Sequence, residues 1–157
     1  MDFKRSLEEG YAKEIKKNKN RAKSLVKSSD ASIKTAKIIP INEISLKSIF
    51  RELYEGFREC CEALGYSKGY KFLDHESIGF FLRDILNEQI IFKRFDRYRK
   101  LRNGINYYGN DIETETVKEA VSEIPKLVQN LQNHYKIQQT KMKELWDNKE
   151  DETWQNP

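Results

Sequence analysis

Cysteine, histidine, proline and glycine are all scarce in this chain, and each shortage excludes something. Cys60 and Cys61 are the whole cysteine complement and stand side by side. Neighbouring residues form only a strained disulfide, so two reduced thiols on a helix face are expected, in a reducing compartment. The two histidines, His75 and His134, are far apart, and neither has a companion at metal-ligand spacing. No metal site and no cofactor are therefore expected. Three prolines and seven glycines among 157 residues impose few turns, which favours long helices. No apolar run approaches the ~20 residues needed to span a bilayer. The opening MDFKRSLEEG is charged and has no apolar core, so no signal peptide is expected. These absences point to a soluble, cytoplasmic protein without membrane association.

What is present is charge. Charged residues make up 34% and hydrophobic residues 38%, a balance that suits slender amphipathic helices better than a thick α/β core. The length fits one domain with one real core. A net charge of +4 permits an acidic partner such as RNA without requiring one, because basic residues also populate solvated helix faces.

Helical spacing recurs along the chain. Residues from about Ser6 to Ile39 predict one or two helices, opened by the capping-box pattern Ser6-Leu7-Glu8-Glu9 and stopped by Ile39-Pro40. The lysines between the apolar positions (Lys13, Lys16, Lys17, Lys19, Lys23) form either an RNA-binding arm or a solvated face. A second helix, capped by Asn42 or Ser45, carries Leu46, Ile49, Phe50, Leu53, Tyr54, Phe57, Cys60, Cys61 and Leu64. That stripe predicts the central core helix, with Gly65 ending it and Gly65–Tyr70 as a loop. Asp74 caps a short third helix and puts His75 in its first turn, as a general acid or base or as a helix-start hydrogen-bonding group. A fourth helix runs from about Asn87 to Tyr108. A fifth starts near Thr114, and Pro125 within it predicts a kink or a break. No strand pattern of useful length is visible. The expected fold is an all-α antiparallel up-and-down bundle of about five helices over residues 1–147, followed by a disordered tail at 148–157.

Phe92–Gly109, FKRFDRYRKLRNGINYYG, stands apart. Ile91, Phe95, Tyr98, Leu101 and Ile105 form an apolar stripe, and Lys93, Arg94, Arg97, Arg99 and Lys100 a basic face. Arg102 falls inside the stripe, between Tyr98 and Ile105. A guanidinium on a buried side is costly to desolvate and needs a partner or a job. It finds structural partners in Asp96, Asp111 or helix carbonyls, or else it holds a ligand. Asn103, Asn106, Tyr107, Tyr108 and Gly109 close the segment.

These residues resemble the HEPN family (higher eukaryotes and prokaryotes nucleotide-binding domain), whose signature is an arginine, a polar residue and, a short way on, a histidine. Arg102 and Asn103 match the first two, and LRNGINYYG is similar to a prokaryotic variant with NYYG at the histidine's place. The resemblance covers about Ser6 to Leu131. It implies an all-α bundle that dimerises with two motifs facing across a cleft. It also implies either a metal-independent ribonuclease, often a toxin paired with a nucleotidyltransferase antitoxin, or a non-catalytic partner that binds RNA, nucleotide or protein.

The histidine is missing here; Tyr107, Tyr108 and Gly109 fill its place. Metal-free RNA cleavage needs a proton taken from the ribose 2′-hydroxyl and one given to the leaving oxygen. Tyrosine, with a pKa of about 10, is a poor base at neutral pH. Arginine and asparagine still hold a phosphate. In an unbroken helix Tyr107 also sits about 140° around from Arg102, so the two converge only if the helix loosens near Gly104 and Gly109, or across a dimer. The expectation is a degenerate binding module, with Arg102, Asn103, Asn106, Arg99 and Lys100 on RNA or nucleotide. The alternative is a ribonuclease that uses Arg102 with Tyr107 or Tyr108, or recruits His75.

Overall fold

The computed structural model describes the backbone of residues 1–155 and the side chains of residues 1–147. Over these residues the chain forms six helices and one two-stranded ribbon. The order is α1 (Phe3–Glu8), β1 (Ala12–Glu14), α2 (Lys19–Ile38), α3 (Leu46–Lys68), β2 (Tyr70–Phe72), α4 (His75–Asp84), α5 (Gln89–Tyr108) and α6 (Thr114–Gln155). The all-α bundle expected from the spacing is the fold, and α3 is its centre: α2, α6, α5 and α4 all pack on it. The predicted α3 stripe is buried along its whole length, from Leu46 to Leu64.

Close approach of α2 to α3 is made at Gly56. Ser29 donates its hydroxyl to the Gly56 carbonyl at 2.6 Å. A Cβ on Gly56 would lie 2.9 Å from Ile33 Cδ1 and 3.1 Å from the Ser29 carbonyl oxygen. The missing side chain is what lets the two backbones meet.

The first forty residues differ from the one or two helices expected. The opening helix is only six residues long, and its cap is Asp2, whose carboxylate accepts from the Arg5 amide at 2.8 Å; Ser6 sits inside it, buried. Gly10, at φ +82°, turns the chain into β1. β1 pairs antiparallel with β2, Ala12 opposite Phe72 and Glu14 opposite Tyr70. Phe3 seals this corner. It is 1% exposed, its ring meets Tyr70, Phe72 and Phe81, and its amide donates to Asp84 at 2.8 Å.

α3 also runs past Gly65, contrary to expectation. Gly65 stays helical because the Phe72 ring lies against it, where a Cβ would come within 2.5 Å of Phe72 Cε2. The stop is Gly69, in the left-handed region at φ +89°. Tyr66 therefore belongs to the helix and Tyr70 to β2, not to a loop. Ile39 is extended ahead of Pro40, as expected. α6 continues through Pro125 without a break. The tail expected at 148–157 falls on residues whose side chains, and for the last two whose backbone, lie outside the description. Among the described residues no helix is long and apolar enough to cross a membrane.

Candidate anion site

Tyr54 on α3, His75 at the start of α4 and Arg102 near the end of α5 meet at one corner of the bundle. Each arrives there for a local reason. Tyr54 belongs to the α3 stripe and is 1% exposed, its ring stacked on Phe95 at 5.8 Å. His75 is fixed by the α4 cap, where the Asp74 carboxylate accepts from the Ser77 amide at 2.9 Å. Arg102 is carried inward by its place on the α5 stripe and is half-buried.

The Arg102 guanidinium lies between two aromatic rings, 5.7 Å from the centroid of Tyr54 and 5.7 Å from that of Tyr107. Both contacts are in cation–π range. Its Nη1 donates to Asn103 Oδ1 at 3.4 Å. Among the described residues no carboxylate comes within ion-pairing distance of it. Asp96 is held by Arg99 at 2.7 Å and Lys100 at 3.0 Å, and Asp111 by Lys47 at 3.4 Å. Two of the structural partners considered for Arg102 are thus engaged elsewhere, and its positive charge is not compensated.

Tyr107 reaches Arg102 although it stands five residues further along the helix. The last turn of α5 is widened: Gly109, at φ +65°, and Asn110 both donate their amides to the Gly104 carbonyl. A five-residue step is wider than an α-turn and loosens the helix end.

Behind Arg102, the Tyr54 hydroxyl and His75 Nδ1 are 2.9 Å apart. Burial pushes the His75 imidazole down to about 4, helped by the nearby Arg102 and Arg58 charges. Burial also pushes the Tyr54 hydroxyl up, so it keeps its proton at neutral pH. Arg58 is ion-paired with Glu55 and Glu62 on its own helix. The neutral His75 has two tautomers. With Tyr54 donating, Nε2–H is a hydrogen-bond donor. With Nδ1–H donating to the Tyr54 oxygen, Nε2 is a free base.

The remaining predicted residues divide. Asn103 joins the site. Arg99 is near enough to act on the Tyr54 hydroxyl but is held by Asp96. Asn106 points elsewhere and accepts from Arg51 Nε at 3.1 Å. Lys100 lies with Lys93 and Arg97 along a shallow groove beside Gly104 and Asp111. Tyr108 is 80% exposed. Tyr54 was missing from the sequence-based site because a tyrosine in an apolar stripe reads as packing. Its phenol end, one turn before Arg58, was the available signal.

The site can do one thing plainly. A half-buried, uncompensated guanidinium with an adjacent amide and a 69% exposed tyrosine ring can take an oxyanion and stack a planar group beside it. Among the described residues there is no cluster of histidine, cysteine or carboxylate side chains that could hold a metal ion. Comparison of the chain with protein-family models, with curated proteins and with solved structures finds no match.

Proposed function

We propose that this chain is a HEPN-like RNA- or nucleotide-binding module, catalytically degenerate, that binds a phosphate at Arg102 and acts as a dimer. The all-α bundle and the RN…NYYG segment support the family reading. The observation that carries the binding role is Arg102 itself, a half-buried cation with no carboxylate partner among the described residues. Burying such a charge is unfavourable unless an anion completes it. Asn103 and Tyr107 flank it, and the exposed Tyr107 ring suits a base next to the bound phosphate. In a toxin–antitoxin setting a nucleotidyltransferase-type partner is the macromolecule the resemblance implies.

Fluorescence anisotropy with a single-stranded RNA tests this. Arg102→Ala loses a charge-assisted contact worth about 1.5–3 kcal/mol, so affinity falls about tenfold or more. Arg97 is already held by Glu119 at 2.9 Å, so Arg97→Ala has a smaller effect. Equal, negligible effects of the two changes refute the proposal.

A metal-independent ribonuclease is the second reading, and the Tyr54–His75 pair beside Arg102 favours it. It requires the tautomer that leaves His75 Nε2 as a base toward a ribose 2′-hydroxyl. Metal-free RNA cleavage abolished by both His75→Ala and Arg102→Ala establishes the enzyme. RNA left intact at high protein concentration excludes it.

A further inference from the structure

The corner that holds Arg102 carries a second arginine without an ion pair. Arg51 stands on α3 one turn before Tyr54, whose ring backs Arg102. On α5, Asn106 stands one turn after Asn103, about 4.5 Å further along the helix axis at ~1.5 Å per residue. Arg51 Nε donates to Asn106 Oδ1 at 3.1 Å, as Arg102 Nη1 donates to Asn103 Oδ1 at 3.4 Å. At this corner α3 and α5 therefore carry two arginine–asparagine pairs, a turn apart. The nearby carboxylates are taken: Glu55 by Arg58, Asp96 by Arg99 and Asp111 by Lys47. Among the described residues, neither Arg51 nor Arg102 has a carboxylate of its own.

Each pair is chemically one-sided. A guanidinium has no acceptor, so the asparagine must turn its oxygen to the arginine. That engages the amide oxygen and leaves the NH2 group free to donate. Arg51 spends only Nε on Asn106 and keeps both Nη groups, and both side chains are exposed. Donors and positive charge thus face the ligand, a combination that favours a phosphate. Arg102 is fastened between the rings of Tyr54 and Tyr107, and Arg51 by Asn106. With separate anchors, the two guanidinium groups serve two anions rather than closing on one.

We infer, resting on the reading of Arg102 as a phosphate site, that Arg51 and Asn106 form a second phosphate position. The ligand class is then a nucleic-acid strand, whose phosphates are separated by a sugar, rather than a mononucleotide or a nucleoside diphosphate. One phosphate lies at Arg102 and Asn103, and its neighbour lies at Arg51 and Asn106. The strand follows α3 and α5 toward the start of α3 and the end of α5.

NMR titrations of the full chain with three thymidine probes test this; none has a 2′-hydroxyl through which it could be cleaved. Dithymidylate with a 5′-phosphate has two phosphates separated by a sugar. Thymidine diphosphate carries a similar charge on directly bridged phosphates, and thymidine monophosphate has one phosphate. Dithymidylate is expected to bind about tenfold or more tighter than either. Arg51→Ala, at an exposed position, weakens dithymidylate about tenfold and the monophosphate by less than about threefold. Arg102→Ala weakens both. Asn106→Asp sets a carboxylate against Arg51 and should lower dithymidylate affinity as Arg51→Ala does, while thermal stability holds or rises. A purely structural Arg51–Asn106 contact would not give that split. Dithymidylate that binds no tighter than the diphosphate, or that ignores Arg51→Ala while still weakened by Arg102→Ala, overturns the second position and leaves the Arg102 reading standing. Absence of any binding sensitive to Arg102→Ala overturns that reading, and the second position with it.

Discussion

At the residue scale, His75 and Arg102 report on each other. The half-buried imidazole is held down to about 4, below its ordinary 6.5, first by desolvation and then by the Arg102 charge. Between those values the unfolded chain binds a proton that the folded chain does not. Stability therefore falls as pH drops through this window and is unaffected by His75 above it. An NMR titration of the His75 ring should give a midpoint near the lower value, and Arg102→Ala should move it upward. A midpoint unchanged by Arg102→Ala would separate the two side chains. Arg102 was legible in the sequence because a cation at an apolar helical position is conspicuous. The uncompensated state of that cation was not, since Asp96 and Asp111 stood equally available until their own partners, Arg99, Lys100 and Lys47, were seen.

Elements succeed or fail by how closely they touch. Gly56→Ala should destabilise the fold by about 1–3 kcal/mol, the usual range for overpacking a core contact, because the added methyl meets both Ile33 and the Ser29 carbonyl. Ser29→Ala, which removes a single hydroxyl-to-carbonyl bond, should cost less, about 1 kcal/mol. Denaturant midpoints compare the two; a Gly56→Ala protein as stable as wild type would show that α2 can move aside. The long helices were readable because each repeats its apolar spacing over several turns. The three-residue strands were not, since Ala12–Glu14 and Tyr70–Phe72 hold no repeat and exist only through each other. The end of α3 was misplaced for a related reason. Gly65 and Gly69 both look like stops in one dimension, and only the Phe72 ring packed on Gly65 distinguishes them.

For the molecule as a whole, salt separates a point contact from a charged surface. Each phosphate neutralised on a single strand contributes about −0.7 to the slope of log affinity against log salt. A site confined to Arg102 and Arg99 neutralises about one or two phosphates and gives a shallow slope of ~−0.7 to −1.4. A steep slope that survives Arg102→Ala would shift binding to the lysines of the first forty residues. Those lysines are exposed.

The ribbon packed beside α4 sets an order of events. Phe3 and β1 complete their contacts only with Phe72, Phe81 and Asp84, so residues 3–14 are seated only once residues 72–84 are in place. A chain emerging from the ribosome must hold this segment loose until α4 has followed it out, so the clasp around Phe3 closes late.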